Sequence, residues 1–327
     1  MHPAPAPLRC VAGTRKGFAV KASGYKIVSL LLFSLALPLA AQVNDTYVIP
    51  AVANTQGGFG TRWMTQLSIF NPQLDYPLNV SVSYLPTGGG NGLEAIITVP
   101  ANGVAFTDNA LLEIFNRTGG GAFVIATFPE DNPGVPNETI ARAFLVTSNT
   151  FTKQGDGGTM GQTIPGVWAG LQDYATDGVS AISHGLRQLS AFGWRTNFGA
   201  VNLGSTQVNV RVRIYNRNGG TLLKDQLYPV GPQAHMQWSM PVEVDQGSIE
   251  LFVDDPTKNA VVFTYTSTLD RYTNDPMYQT PTLLASAKFL FGKKAIVEPT
   301  ALGKKITLEQ ARAVRAAMTP IGQVDLK

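Results

Sequence analysis

Past the first 41 residues the chain carries only two histidines, His184 and His235, and no cysteine. An imidazole beside a serine and an aspartate is the constellation of nucleophilic hydrolysis. No Gly-x-Ser-x-Gly elbow accompanies either histidine, and each stands in only one half of the chain. Both therefore read as surface or turn residues. Two imidazoles without thiols are also too few for a zinc set. Oxygen ligands for Ca²⁺ are a second possibility, at Glu130-Asp131-Asn132 before Pro133 and at Asp254-Asp255 before Pro256. Neither cluster has a spaced Asp-x-Asp-x-Asp pattern, and both read as solvated hairpin tips. No catalytic residue, metal ligand or cofactor is assigned.

Binding chemistry is better represented than catalysis. Trp168 and Trp238 would offer flat faces for a sugar ring if exposed. Trp63 shares a strand face with Thr65, Leu67 and Ile69, and Trp194 shares one with Thr196, Phe198 and Ala200. That face is the more apolar one, which directs each indole to the interior or the mouth of a core. Arg195 and Asn197 fall on the opposite, polar face and are candidate ligand residues. The tract Gly88-Gly89-Gly90 lacks the Lys-Ser/Thr pair of a phosphate loop and reads as a hairpin turn.

Composition narrows the class further. With 44% apolar and 14% charged residues the chain is a packed globular protein. Arg9, Arg15, Lys16, Lys21 and Lys26 precede an apolar run, 27–41, that ends in Pro38, Ala40 and Ala41, which is the pattern of a signal peptide cleaved before Gln42. The run is shorter than the roughly 20 residues of a bilayer span. Removing this leader takes five of the 25 basic residues, leaving 20 against 22 acidic ones. From Lys288 onward eight basic residues face three acidic ones, so the body is mildly acidic and the tail basic. That balance argues against nucleic acid as a partner.

The elements that must position these side chains come in two sets. Trp63, Thr65 and Asn71 recur as Trp194, Thr196 and Asn202 at a constant offset of 131. An internal repeat of this kind decides the fold before any local assignment. Short apolar runs at 47–52, 63–70, 78–85, 94–99, 104–107, 121–128 and 139–148 predict about seven strands in the first copy. Val208, Val210, Val212 and Ile214 repeat the alternation of Leu78, Val80, Val82 and Tyr84. The expected order is a leader (1–41), a first β-sandwich (42–166), a connector (167–177) holding a fixed angle, a second sandwich (178–287) and a basic tail (288–327). In the tail, Thr307-Leu308-Glu309-Gln310 matches a capping box, and Leu308, Ala311, Val314 and Met318 keep helical spacing up to Pro320. The predicted helix would dock on the second sandwich.

Gly185-Leu186-Arg187 through 192–202, followed by 208–215 and the Gly219-Gly220 turn, resembles a repeat of uncharacterised exported bacterial proteins. So does 158–165, which closes the first copy. These repeats look like tandem immunoglobulin-like modules, and the resemblance spans about 47–284. It implies an all-β fold and an extracytoplasmic location, with no functional residues to carry over. The first copy has Met64 and Gln66 where the second has Arg195 and Asn197, so any ligand role of that pair belongs to one half. The expected function is an exported, non-catalytic interaction or structural module at the cell surface, in the periplasm or outside the cell, without a membrane span once the leader is removed. Its partner would be a protein or a cell-surface glycan. A carbohydrate or cell-wall binding protein and a loop-built hydrolase are the alternatives.

Overall fold

The period-two runs of the sequence form strands. The computed structural model describes residues 45–57, 60–153, 157–168, 174–175, 179–217, 220–254, 260–273, 275–285 and 308–326. The leader, most of the connector, Thr307 and Asp255 lie outside these residues. In the first half the strands are β1 (Thr46–Gln56), β2 (Arg62–Phe70), β3 (Leu78–Pro86), β4 (Leu93–Val99), β5 (Val104–Thr107), β6 (Gly119–Ala126), β7 (Leu145–Lys153), β8 (Thr159–Pro165) and the two-residue β9 (Val167–Trp168). The second half has β10 (Tyr174–Ala175), β11 (Val179–Gln188), β12 (Trp194–Asn202), β13 (Val208–Tyr215), β14 (Leu222–Val230), β15 (Ala234–Ser239), β16 (Val244–Asp254), β17 (Val262–Asp270), β18 (Pro276–Gln279) and β19 (Thr282–Ala285). The tail supplies β20 (Thr319–Val324). The fold is all-β, with two short α-helices among the described residues.

β4, β3, β6 and β1 pair in that order, and β5 and β7 flank β2, with β8 beyond β7. The end of β1 joins the two sets by pairing Asn54–Gln56 with Met64–Arg62. Both sets contribute to one apolar cluster, which includes Ile49, Val82, Ile97 and Phe123 from one side and Leu67, Ile69 and Ile164 from the other. Each such side chain stabilises the fold by about 1.5–3 kcal/mol when fully buried. In the second half β14, β13, β16, β11 and β19 form one sheet, and β10, β17, β12 and β15, with β18 on β17, form another. A second apolar cluster lies between them. The first-half pairings β1–β6, β3–β4, β3–β6, β2–β5, β2–β7 and β7–β8 have counterparts in β11–β16, β13–β14, β13–β16, β12–β15, β12–β17 and β17–β18.

The repeated strand residues make the same contacts in β2 and β12. Thr65 Oγ1 meets Thr150 Oγ1 at 2.7 Å, and Thr196 Oγ1 meets Thr268 Oγ1 at 2.9 Å. Asn71 Nδ2 donates to the carbonyls of Tyr76, Val99 and Pro100, while its Oδ1 accepts from the Gln73 amide. Asn202 Nδ2 donates to Thr206, Val230 and Gly231, and its Oδ1 accepts from Gly204. Each asparagine thus satisfies carbonyls and an amide at a corner where the ladder has ended.

Three local features depart from the sequence expectation. Ala110–Phe115 is a helix, α1, capped by Asn109 at its start and by Asn116 in the left-handed region at its end. Its Ala110, Leu111, Ile114 and Phe115 enter the first core. Residues 139–142 form a 3₁₀ turn instead of the start of a strand, and β7 begins at Leu145. The tail helix exists as α2 (Leu308–Ala316), but it docks mainly on the first half. There Arg312 and Arg315 reach Glu130 and Asp131. Pro320 does not end the structured tail, because β20 runs parallel along β4.

The described residues belong to one compact unit, 41–327. A third apolar cluster joins the halves: Leu85, Val124 and Phe128 from the first, Val201, Leu203 and Phe263 from the second, and Ala311, Val314 and Met318 from the tail. Gln233 Nε2 also donates to the Ala313 carbonyl at 3.0 Å.

Candidate functional site

Alternation along β12 places Thr196, Phe198 and Ala200 in the second core. The other face, Arg195, Asn197, Gly199 and Val201, is thereby directed toward the first half. Pairing then fixes the neighbours: Ser267 opposite Asn197, Tyr265 and Gln237 on either side of Gly199, Phe263 and His235 on either side of Val201. Gly199 is required there, because a Cβ would lie 2.3 Å from Tyr265 Cζ. Without it the Tyr265 ring lies across the strand, and its hydroxyl donates to Gln237 Oε1 at 2.9 Å.

The same hydroxyl lies 2.8 Å from His235 Nε2, and His235 Nδ1 lies 2.7 Å from Thr87 Oγ1 of the first half. With the tyrosine proton on Gln237, the consistent assignment is a neutral imidazole. It donates from Nε2 to Tyr265 and accepts at Nδ1 from the Thr87 hydroxyl. Burial drives the His235 pKa down to about 3 and pushes the Tyr265 phenol well above its usual range. The surface or turn reading of His235 is therefore corrected. The residue is 2% exposed because the second half packs its β15 against the end of β3.

Between these strands and the end of the first half lies a cleft of about 230 Å³. Arg195, Asn197, Gln237 and Ser267 line it from the second half, and Trp63, Thr150, Gln162 and Ile164 from the first. Gln162 Nε2 donates to Ser267 Oγ at 3.1 Å across it. Asn197 Oδ1 accepts from Ser239 Oγ at 3.2 Å. Arg195 is exposed at the rim, and desolvation by the groups packed beside it, followed by the nearby Arg271 cation, lowers its pKa. Trp63 is half-buried at the start of β2, with its indole against Gly57, where an added Cβ would come within 2.6 Å of Nε1. It stands at the mouth of its core, outside the apolar cluster.

The other sequence candidates lie elsewhere. Trp194 is half-buried beneath the Arg187 guanidinium, 5.1 Å from its ring centroid, in a shallow depression with His184 and Met277. His184 is exposed, and its carbonyl accepts from Gln279 Nε2. Trp238 is no open platform: it packs on Phe198 and Tyr228, with centroids 5.5 and 4.9 Å away. The Trp168 side chain lies outside the described residues; its backbone pairs with Tyr47. Glu130 and Asp131 are not a free hairpin tip, since the tail arginines occupy them, and Asn132 is buried, its side chain bonded to the backbone of Asn79 and Phe128. Sequence reasoning missed Gln162, Gln237, Tyr265 and Ser267. Only the polar face of β12 pointed to this region.

No protein-family model matches the chain, and no curated protein matches it in sequence. Among solved structures, a Bacteroides uniformis β-glucuronidase 2 covalently bound to cyclophellitol-6-carboxylate aziridine aligns at 13% identity over 73% of this chain and 26% of its own. A second B. uniformis β-glucuronidase aligns at 14% identity over 72% and 26%. The chain thus spans about a quarter of the length of either structure, with a TM-score of 0.16 in both cases.

Proposed function

We propose that this chain is an exported, non-catalytic interaction module built from two tandem immunoglobulin-like sandwiches, whose partner is seated in the cleft between them. The observation that carries this reading is the cleft itself. Its polar lining comes from both halves, so neither sandwich could form it alone. The matched pairings and the matched asparagine corners support the tandem arrangement. The basic and apolar pattern of residues 1–41 supports export. His235 does not favour a hydrolase, because both its ring nitrogens are engaged by Thr87 and Tyr265.

Two measurements test the reading. N-terminal sequencing of the protein recovered outside the cytoplasm should begin at Gln42, and recovery only from the cytoplasm would remove the export claim. Crosslinking capture from the native cell surface should yield a partner that is lost with Trp63→Ala and with Asn197→Ala. Capture that both variants leave intact would take the cleft out of the reading.

A further inference from the structure

Among the described residues, the walls of the cleft leave one charge unmatched. Arg187, Arg211, Arg213, Arg217, Arg312 and Arg315 each lie within 3.8 Å of a carboxylate. Arg195 meets none among the described residues, and the charged group acting on it is Arg271, of the same sign. Arg195 is exposed at the rim of the cleft, where packing on one side and the Arg271 cation still disfavour its charge, and an anion entering the cleft would offset both.

The groups around Arg195 narrow the kind of anion. Asn197 and Gln237 use their carbonyl oxygens on Ser239 and Tyr265, and among the described residues their NH₂ groups donate to nothing. Gln162 and Ser267 both donate and accept, and the Trp63 indole supplies an apolar surface. Free amide donors, a hydroxyl and an indole suit a ring carrying several hydroxyls, while a guanidinium takes a carboxylate through two parallel hydrogen bonds. A peptide that binds by strand addition would need a free strand edge. β12 and β17 offer none, since each is paired on both sides, and at the cleft such an edge is left to β8, which pairs with β7 alone among the described residues. The volume, about 230 Å³, is below the roughly 300–1,000 Å³ of a drug-sized pocket, which limits the occupant to about one ring.

We propose that the cleft binds a single acidic sugar residue, the end or side group of a glycan, with its carboxylate on Arg195 and its hydroxyls on Asn197, Gln237 and Gln162. This rests on the cleft being the partner site. Isothermal titration of the whole exported chain with sodium glucuronate, galacturonate and N-acetylneuraminate tests it, with glucose, galactose, acetate, sulfate and a glutamate tripeptide as comparison ligands. At least one acidic sugar should bind roughly tenfold or more tightly than every comparison ligand, the worth of one charge-assisted contact. Arg195→Gln should remove that preference, Arg195→Lys should keep part of it, and Trp63→Ala should weaken acidic and neutral sugars alike. An unchanged melting temperature in Arg195→Gln shows that the loss is local.

The proposal is overturned if no acidic sugar binds, if acetate or sulfate binds as well, if the tripeptide binds better, or if Arg195→Gln keeps the preference. Capture of a surface partner that depends on Asn197, with no acidic-sugar binding, would overturn this proposal and leave the interaction module standing. Failure of both would remove both.

Discussion

Thr87 and His235, 148 positions apart, meet twice: Oγ1 and Nδ1 are 2.7 Å apart, and their backbones form a parallel bridge. The Gly88 amide adds a hydrogen bond to the His235 carbonyl at 2.9 Å. A hydroxyl from one half thus fixes the imidazole of the other, which makes the junction a packed, hydrogen-bonded core instead of a loose contact between surfaces.

The pH dependence of stability follows from that burial. Unfolded, His235 protonates near its ordinary value of 6.5, whereas folded it stays neutral down to about 3. Below pH 6.5 the unfolded chain therefore binds a proton that the folded chain refuses, and stability falls as pH drops toward 3. The loss is roughly 1.4 kcal/mol per pH unit across this window. Above pH 10 the raised Tyr265 pKa acts in the other direction, since only the unfolded phenol ionises. Urea unfolding at a series of pH values should show the acid-side slope in the parent chain and a shallower one in His235→Gln. Equal slopes would mean that other groups set the acid limit.

Gly199 is expected to tolerate no side chain. A Cβ 2.3 Å from the Tyr265 ring forces that ring off its site and breaks its bonds to His235 and Gln237. Gly199→Ala should cost about 2–3 kcal/mol by overpacking. Tyr265→Phe keeps the ring but strands the imidazole Nε2–H, at about 1–3 kcal/mol. Chemical denaturation of the two variants checks both figures. A Gly199→Ala variant as stable as the parent would show that the ring has another resting place.

Asn71 and Asn202 provide a matched pair of tests. Each is fully buried and holds three carbonyls and one amide in place, so Asn71→Ala and Asn202→Ala should each destabilise by about 2–4 kcal/mol. The comparison bears on the repeat as well as on the residue. If only one variant loses stability, the two corners are not equivalent whatever their geometry.

How much of this was legible in the sequence depends on which contacts were local. β13 alternates as its residues suggest: Val208, Val210, Val212 and Ile214 are buried, and the residues between them are partly or fully exposed. β3 has the same pattern but is buried on both faces at Ser81 and Ser83. Ser81 Oγ donates to Glu94, which Arg315 also approaches, so the tail covers a face that the sequence presents as solvated. The α2 helix was visible in its own spacing; its docking partner was not, because the acidic residues that receive it lie more than 180 positions away. For the cleft, Arg195 and Asn197 stood out as polar residues on a strand with an apolar back. Gln162, Gln237 and Ser267 gave no local sign, since only the pairing of the halves brings them together.

The tail should come loose at one arginine and not at the other. Arg312 and Glu130 form an exposed two-point pair, with distances of 3.1 and 3.0 Å, and the arginine's hydrogen bond holds the Glu130 carboxyl below its ordinary value. Exposed pairs of this kind contribute no more than about 1 kcal/mol and weaken in about 1 M salt. Arg315 is placed differently: it lies 4.8 Å over the Phe128 ring, 3.3 Å from the buried Glu94, and pairs with Asp131 through both terminal nitrogens. Removing it leaves two carboxylates partly buried without their cation, a loss of about 3–5 kcal/mol for a fully buried pair and somewhat less here. Hydrogen exchange of the β20 amides is the direct readout, because β20 follows α2 directly and pairs with β4. Arg315→Ala should speed that exchange by at least tenfold, and Arg312→Ala should change it little in low salt. Unaltered protection in Arg315→Ala would assign the docking to the apolar side chains Ala311, Val314 and Met318 alone.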